Sequence, residues 1–177
     1  MSSFKIINGS CVDQEVDAIV NAANKWMSHD GGVALAIRNK AGKELDEACQ
    51  KYKLPINDGK VIVTPAFNIK NAKIIIHSVG PDFSQTPKAF KELFNAYYNS
   101  LIALKDNEYH SIAFPLISSA IFAGKLKEPV KESTKQCIRA YKKFTEDFPE
   151  YDIDVKLCAF KPSEIQEAQI EFDSFKN

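Results

Sequence analysis

Lys73–Ile74–Ile75–Ile76–His77–Ser78–Val79 carries apolar residues at both odd and even positions. A half-exposed strand alternates, whereas a strand covered on both faces does not, so this run predicts a strand in the middle layer of a sandwich. Ser111–Ile112–Ala113–Phe114–Pro115–Leu116–Ile117 has the same character. Working outward, strands are expected at Phe4–Asn8, Ala18–Asn21, Lys60–Pro65, Lys73–Ser78, Ser111–Pro115 and Val155–Phe160. Helices are expected between them, at Val33–Ala41, Gly42–Tyr52, Lys88–Lys105, Lys127–Phe148 and Pro162–Phe175. In the third of these, Phe90, Leu93, Phe94, Tyr97, Leu101 and Leu104 fall on one face at three- and four-residue spacing. Strand and helix alternate along the chain, which predicts a three-layer α/β/α sandwich around a largely parallel sheet. With no linker, repeat or low-complexity stretch, residues 1–177 read as one domain.

The bulk composition narrows the function. Lys plus Arg and Asp plus Glu each number 23, so the formal net charge is zero. A protein that grips long nucleic acid by its phosphates normally carries a basic excess, so long nucleic acid is not the expected partner. No apolar run approaches the ~18 residues of a membrane span, and Met1–Gly9 has no apolar leader core. The expected compartment is the cytoplasm, with no membrane partner. Cys11, Cys49, Cys137 and Cys158 are scattered and read as reduced, mostly buried thiols. His29, His77 and His110 show no ligand spacing with them, so neither metal nor cofactor is expected.

In a parallel sheet, ligands bind beyond the carboxyl ends of the strands. That rule selects the loops after Asn8, Asn21, Pro115 and Phe160. Asn21–Ala22–Ala23–Asn24 leads to Gly31–Gly32–Val33 at the start of a helix. Backbone N–H groups at such an end can receive an anion, with the helix dipole in favour. Asn21 and Asn24 can equally serve as caps of a tight crossover. The second loop runs from Pro115 to Gly124, where small residues are followed by Ile121 and Phe122. It suits either a phosphate or simple burial of those two side chains.

Val16–Asp17–Ala18–Ile19–Val20–Asn21–Ala22–Ala23–Asn24, then Gly31–Gly32–Val33–Ala34, Ile76–His77–Ser78–Val79–Gly80–Pro81 and Ser111–Ile112–Ala113–Phe114–Pro115 resemble the successive signatures of the macrodomain family. The similarity runs from about Phe4 to the last helix. It implies a mixed sheet between helices and a cleft that binds ADP-ribose, a related nucleotide or an ADP-ribosylated protein. By this resemblance Asn24 meets the distal ribose, and Gly31, Gly32 and Val33 form the first diphosphate loop. Ser118, Ser119, Ala120, Ile121 and Phe122 form the second, and Phe160 packs on adenine. Gly9–Ser10–Cys11 stands at the adenine end. His29 is placed to reach the distal ribose unless it is a solvent-facing loop histidine.

The chain departs from the family pattern at four positions. Ser10 replaces an aspartate that accepts a hydrogen bond from adenine, a loss of ~1.5–3 kcal/mol when the bond is charge-assisted. Asp30 replaces a glycine; a carboxylate ~5 Å from a phosphate, at an effective dielectric of ~20, repels it by ~3 kcal/mol before screening. It can instead point outward and cap the helix. Ala120 and Ala123 replace glycines, and alanine tolerates positive φ poorly. Gly124 is the residue left to take the bend. An aspartate of the hydrolase branch corresponds here to Ala34, leaving Asn24, His29 and Asp30 as catalytic candidates. A route in which a phosphate oxygen activates water needs no such side chain. Three readings stay open: a hydrolase of ADP-ribosyl esters, a non-catalytic ADP-ribose sensor, and a divergent member with another ligand.

Overall fold

A computed structural model describes residues 1–176. Six strands form one sheet: β1 (Ser3–Asn8), β2 (Ala18–Ala23), β3 (Val61–Pro65), β4 (Ile74–Val79), β5 (Ser111–Phe114) and β6 (Asp154–Ala159). Their order across the sheet is β1-β6-β5-β2-β4-β3. Every neighbouring pair is parallel except β3 with β4, so the sheet is mixed and mostly parallel, as expected. The helices are α1 (Gly32–Ala41), α2 (Glu44–Gln50), α3 (Phe90–Asp106), α4 (Pro129–Asp147) and α5 (Pro162–Ser174).

Strand parity sorts the core into two layers. Ala18 and Val20, Ile74 and Ile76, Ile112 and Phe114, and Val155 and Leu157 join the cluster that holds Leu93, Tyr97 and Leu101 of α3 and Ile138 and Phe144 of α4. Ile19, Ile75, Ala113 and Cys158 point the other way, into the cluster with Ile37 of α1 and Leu45 and Cys49 of α2. Both parities are therefore apolar, which is why the central runs lack alternation.

Several expected boundaries moved by one or two residues, two of them for evident local reasons. The second helix starts at Glu44 rather than Gly42, because Gly42 takes φ 101° and stops α1 by donating its N–H to the Arg38 carbonyl. The fourth starts at Pro129 rather than Lys127, since proline suits the first helical turn, where its missing N–H leaves nothing unpaired. The single 3₁₀ turns at Cys11–Asp13 and Ile121–Ala123 have no periodic signal and were not expected.

Candidate ligand-binding cleft

The carboxyl ends of β1, β6, β5, β2 and β4 share one edge of the sheet, so strand order also orders the loops. The Gly9–Cys11 turn lies beside Phe160, then comes the Pro115–Gly124 loop, then Asn24–Gly32, then Gly80–Phe83. The two candidate anion loops follow adjacent parallel strands, β2 and β5.

At the first loop, no side chain caps α1: its N-cap is Gly31, which makes no side-chain hydrogen bond. The N–H groups of the first helical turn therefore point out of the helix end without an intrahelical acceptor. Around the positions a Cβ would take on Gly31 and Gly32 there is no heavy atom within 4 Å. Gly32 has φ 56°, a conformation that costs other L-residues about 1–2 kcal/mol. Asn24 shapes the approach: its Oδ1 accepts the N–H groups of Trp26 (3.0 Å) and Ser28 (3.2 Å), while Nδ2 donates to the Ser28 hydroxyl at 2.7 Å. It is half-buried and forms the turn that precedes the glycines.

The second loop is clamped from below. The Ile117 N–H donates to Tyr97 Oη (2.9 Å), Tyr97 bonds Ser133 Oγ (2.6 Å), and Ser133 donates to the Ile117 carbonyl (2.6 Å), closing a ring. Such closed rings polarise their members and hold them in one geometry. Ser118 donates to the Pro81 carbonyl (2.7 Å), Ser119 to the Leu116 carbonyl (2.8 Å), and Phe83 N–H to the Phe122 carbonyl (2.8 Å). Gly80 is required for this fit, because a Cβ there would stand 2.4 Å from Ile117 Cγ2. Tyr97, Ser133, Gly80 and Pro81 are the residues that sequence reasoning missed as site builders. Tyr97 was visible only as one more apolar residue on the α3 face.

The structure corrects several expectations. Ser118 spends its hydroxyl proton on the neighbouring Gly80–Phe83 loop and Ser119 on its own loop, so both offer the cleft chiefly main chain. Cys11 is buried, its thiol directed at the Val20 carbonyl, and it too can offer only main chain. The Ser10 hydroxyl oxygen accepts the Val12 N–H (3.2 Å) and caps a 3₁₀ turn. Asp30 is exposed, and the α1 cap carries no side-chain bond from it. Ala120 has φ −113° and Ala123 lies inside a 3₁₀ turn, so neither alanine is forced into positive φ. The left-handed positions are Ser118 (φ 61°) and Gly124 (φ 57°), and Gly124 does take the bend. A Cβ on Gly124 would stand 2.5 Å from the Ser84 nitrogen.

His29 is not solvent-facing but turns inward. Its side chain is 2% exposed, and Nδ1 lies 3.0 Å from Asp46 Oδ1. Asn21 is also fully buried and caps no backbone group; its Nδ2 meets His77 Nδ1 at 3.0 Å. Burial, then the nearby His29, pushes His77 down to about 3, so it is neutral at physiological pH. All four cysteines are free and buried, as expected.

Two large apolar side chains stand open at the edge. Ile121 is 87% exposed and Phe160 67% exposed, although each would gain about 1.5–3 kcal/mol from burial. Val33, half-buried, stands at the first loop. Uncapped amides, open space above two glycines and two exposed apolar side chains all lie along the loop-bearing edge of the sheet. A groove of about 550 Å³ between α4 and α5 lies apart from these glycine turns.

The chain matches the Macro domain family over residues 20–138. It is 38% identical over 148 residues to an uncharacterized protein of Fusobacterium nucleatum, covering 82% of this chain and 81% of that one. It is 39% identical over 125 residues to an O-acetyl-ADP-ribose deacetylase of Escherichia fergusonii, covering 68% and 70%. The Oceanobacillus iheyensis macrodomain with ADP superposes with a TM-score of 0.87 at 30% identity, over 97% of this chain and 90% of that one. The Trypanosoma brucei macrodomain in complex with ADP-ribose does so with a TM-score of 0.83 at 25% identity, over 94% and 68%. Among the described residues no helix is long and apolar enough to cross a membrane. By sheet order, loop geometry and these likenesses together, the chain belongs to the macrodomain family.

Proposed function

We propose that this protein, one macrodomain over its 177 residues, binds ADP-ribose in the cleft between the β2 and β5 loops. One observation carries the reading: the uncapped start of α1, with open space over Gly31 and Gly32, lies across from a second loop clamped in place by Tyr97. The pyrophosphate takes the main-chain amides of both loops, favoured by the α1 dipole. With adenine at Phe160 and Ser10, as the resemblance to the family implies, the strand order puts the distal ribose toward Asn24. The solved relatives with ADP and with ADP-ribose support this choice. The cytoplasm is the proposed compartment, in keeping with four unpaired thiols.

Hydrolysis of ADP-ribosyl esters is the second reading, favoured by relatives named O-acetyl-ADP-ribose deacetylase. In this chain it runs without a side-chain base at Ala34 and without His29, which turns inward. Asn24 positions the distal ribose, the glycine loop holds the water, and a phosphate oxygen takes its proton. Asp30 is the exposed carboxylate of that loop.

Calorimetric titration with ADP-ribose tests the first reading. Saturable one-to-one binding is expected; heats no larger than dilution would sink it. Acetate release from O-acetyl-ADP-ribose, lost in Asn24→Ala, tests the second; binding without release leaves a sensor.

A further inference from the structure

Sheet parity places a second cluster under the first loop. Asn21 of β2 and His77 of β4 are register partners on the α1/α2 side of the sheet, and Ile62 of β3 pairs with His77 there. Cys49 comes down from α2 and His29 from the loop before Asp30. A ligating atom from each of His29, Cys49 and His77 lies within 4.8 Å of the other two, and all three residues are buried. Cys49 Sγ is 3.9 Å from His77 Nε2, and the Thr64 hydroxyl is 3.0 Å from the same nitrogen.

Two features point to a ligand rather than to a satisfied polar core. His29 Nε2 is buried with no hydrogen-bond partner among the described residues, although its ring is held by Asp46 through Nδ1. A carboxylate on one ring nitrogen fixes the proton there and leaves the other lone pair free, the usual support for a metal-ligating histidine. Asn21 Oδ1 is also buried without a partner. Turning that amide over puts Oδ1 on a His77 Nδ1–H, which frees the His77 Nε2 lone pair; the two amide orientations are not distinguished by shape.

We propose that His29, Cys49 and His77 form a zinc site that ties the loop before Gly31 to α2 and β4. Two imidazoles and one thiolate are a borderline-soft set suited to Zn²⁺, with the Thr64 hydroxyl beside the fourth position. Zn–N bonds of about 2.0–2.1 Å and Zn–S of about 2.3 Å put tetrahedral ligand atoms about 3.3–3.6 Å apart, so the three atoms draw together when the ion binds. The thiolate offsets one of the two positive charges, while Asp46, partly exposed and also paired with Arg38 at 3.1 Å, supports His29 from behind. Cys49 binds as the thiolate, so metal uptake releases its proton. Ligands spaced 20 and 28 residues apart carry no local motif, which is why the sequence pointed to no metal.

Metal-stripped, reduced protein titrated with Co²⁺, then Zn²⁺, tests this with no nucleotide present, so the outcome is separate from the ADP-ribose reading. One equivalent of Co²⁺ should give tetrahedral visible bands and a thiolate charge-transfer band, both erased by Zn²⁺. Cys49→Ser should lose the charge-transfer band, Asp46→Asn should weaken uptake about 10- to 100-fold, and His110→Gln should change nothing. Should Cys49→Ser misfold by circular dichroism, the charge-transfer band of the wild-type protein decides. No stoichiometric uptake, no such band, or uptake undiminished in folded Cys49→Ser and His29→Gln would overturn the site.

Discussion

The two ends of the sheet are built from the same strands to opposite plans. At the amino ends of β2 and β5, Asp17 accepts the N–H groups of His110 (3.0 Å) and Ser111 (3.2 Å). Its own N–H donates to Ser111 Oγ (2.8 Å), and Lys73 Nζ lies 3.2 Å from its carboxylate. At the carboxyl ends, α1 starts without a cap and Ile121 and Phe160 stand in solvent. One end closes its polar groups on itself; the other leaves the main-chain amides at the start of α1 and two apolar side chains open. Stability and binding should therefore respond to different residues, and the difference can be tested from both sides.

Gly31→Val should have the largest effect on binding. Gly31 has φ −168°, which any residue adopts, and open space around its Cβ position, so the melting temperature should hold. The new side chain would occupy the anion's seat, and ADP-ribose affinity should fall by roughly a hundredfold, about 2.7 kcal/mol. A parallel loss of melting temperature would blur the division between the two ends. Phe160→Ala should come next, losing about 1–3 kcal/mol of stacking while leaving stability unchanged, read by calorimetry and thermal melts.

Asp17→Asn should do the reverse. It removes charge-assisted bonds worth about 1.5–3 kcal/mol in protected settings, and partial exposure lowers this to about 1–2 kcal/mol, visible in denaturant midpoints with binding intact. The acid limb of stability sharpens the contrast. Although burial opposes it, the His110 N–H, then Lys73, hold the Asp17 carboxyl below its usual range. That contribution is present above the unfolded pKa of about 3.9 and is lost as pH falls through the lower folded value. His77 acts earlier. Its folded value of about 3 lies below the unfolded 6.5, so unfolding takes up a proton and stability falls as pH drops between them. Denaturant midpoints measured across this range should decline in that order, and Asp17→Asn should flatten only the lower part.

The smallest effect belongs to Asp30→Gly. Because Asp30 is exposed, solvent and salt weaken its repulsion, and removing it should tighten ADP-ribose binding by only several-fold, more at low ionic strength. A hundredfold gain would mean the carboxylate sits against the phosphates.

Much of the fold was legible because it is written locally. The doubly apolar runs at Ile74–Val79 and Ser111–Phe114 could only be central strands, and their spacing from the helices left one layer order. The glycine turn and the Pro115–Gly124 loop were legible as loops at the carboxyl edge, while their role as ligand loops rested on the resemblance to the family. Side-chain roles were not. Ser118 and His29 look alike in sequence to residues that touch a ligand, yet one bonds Pro81 and the other turns inward to Asp46. Those partners lie 37 and 17 residues away, and nothing in the intervening chain reports the distance.

By itself, then, the sequence determined the layered sheet, the position of its loop-bearing edge and the two turns that shape a cleft, because hydrophobic parity and turn chemistry act over a few residues. Only the tertiary structure decided which polar groups face that cleft and which are consumed beneath it. The Tyr97–Ser133–Ile117 ring and the His29–Cys49–His77 cluster exist through strand register and helix packing, and contacts of that range leave no local trace.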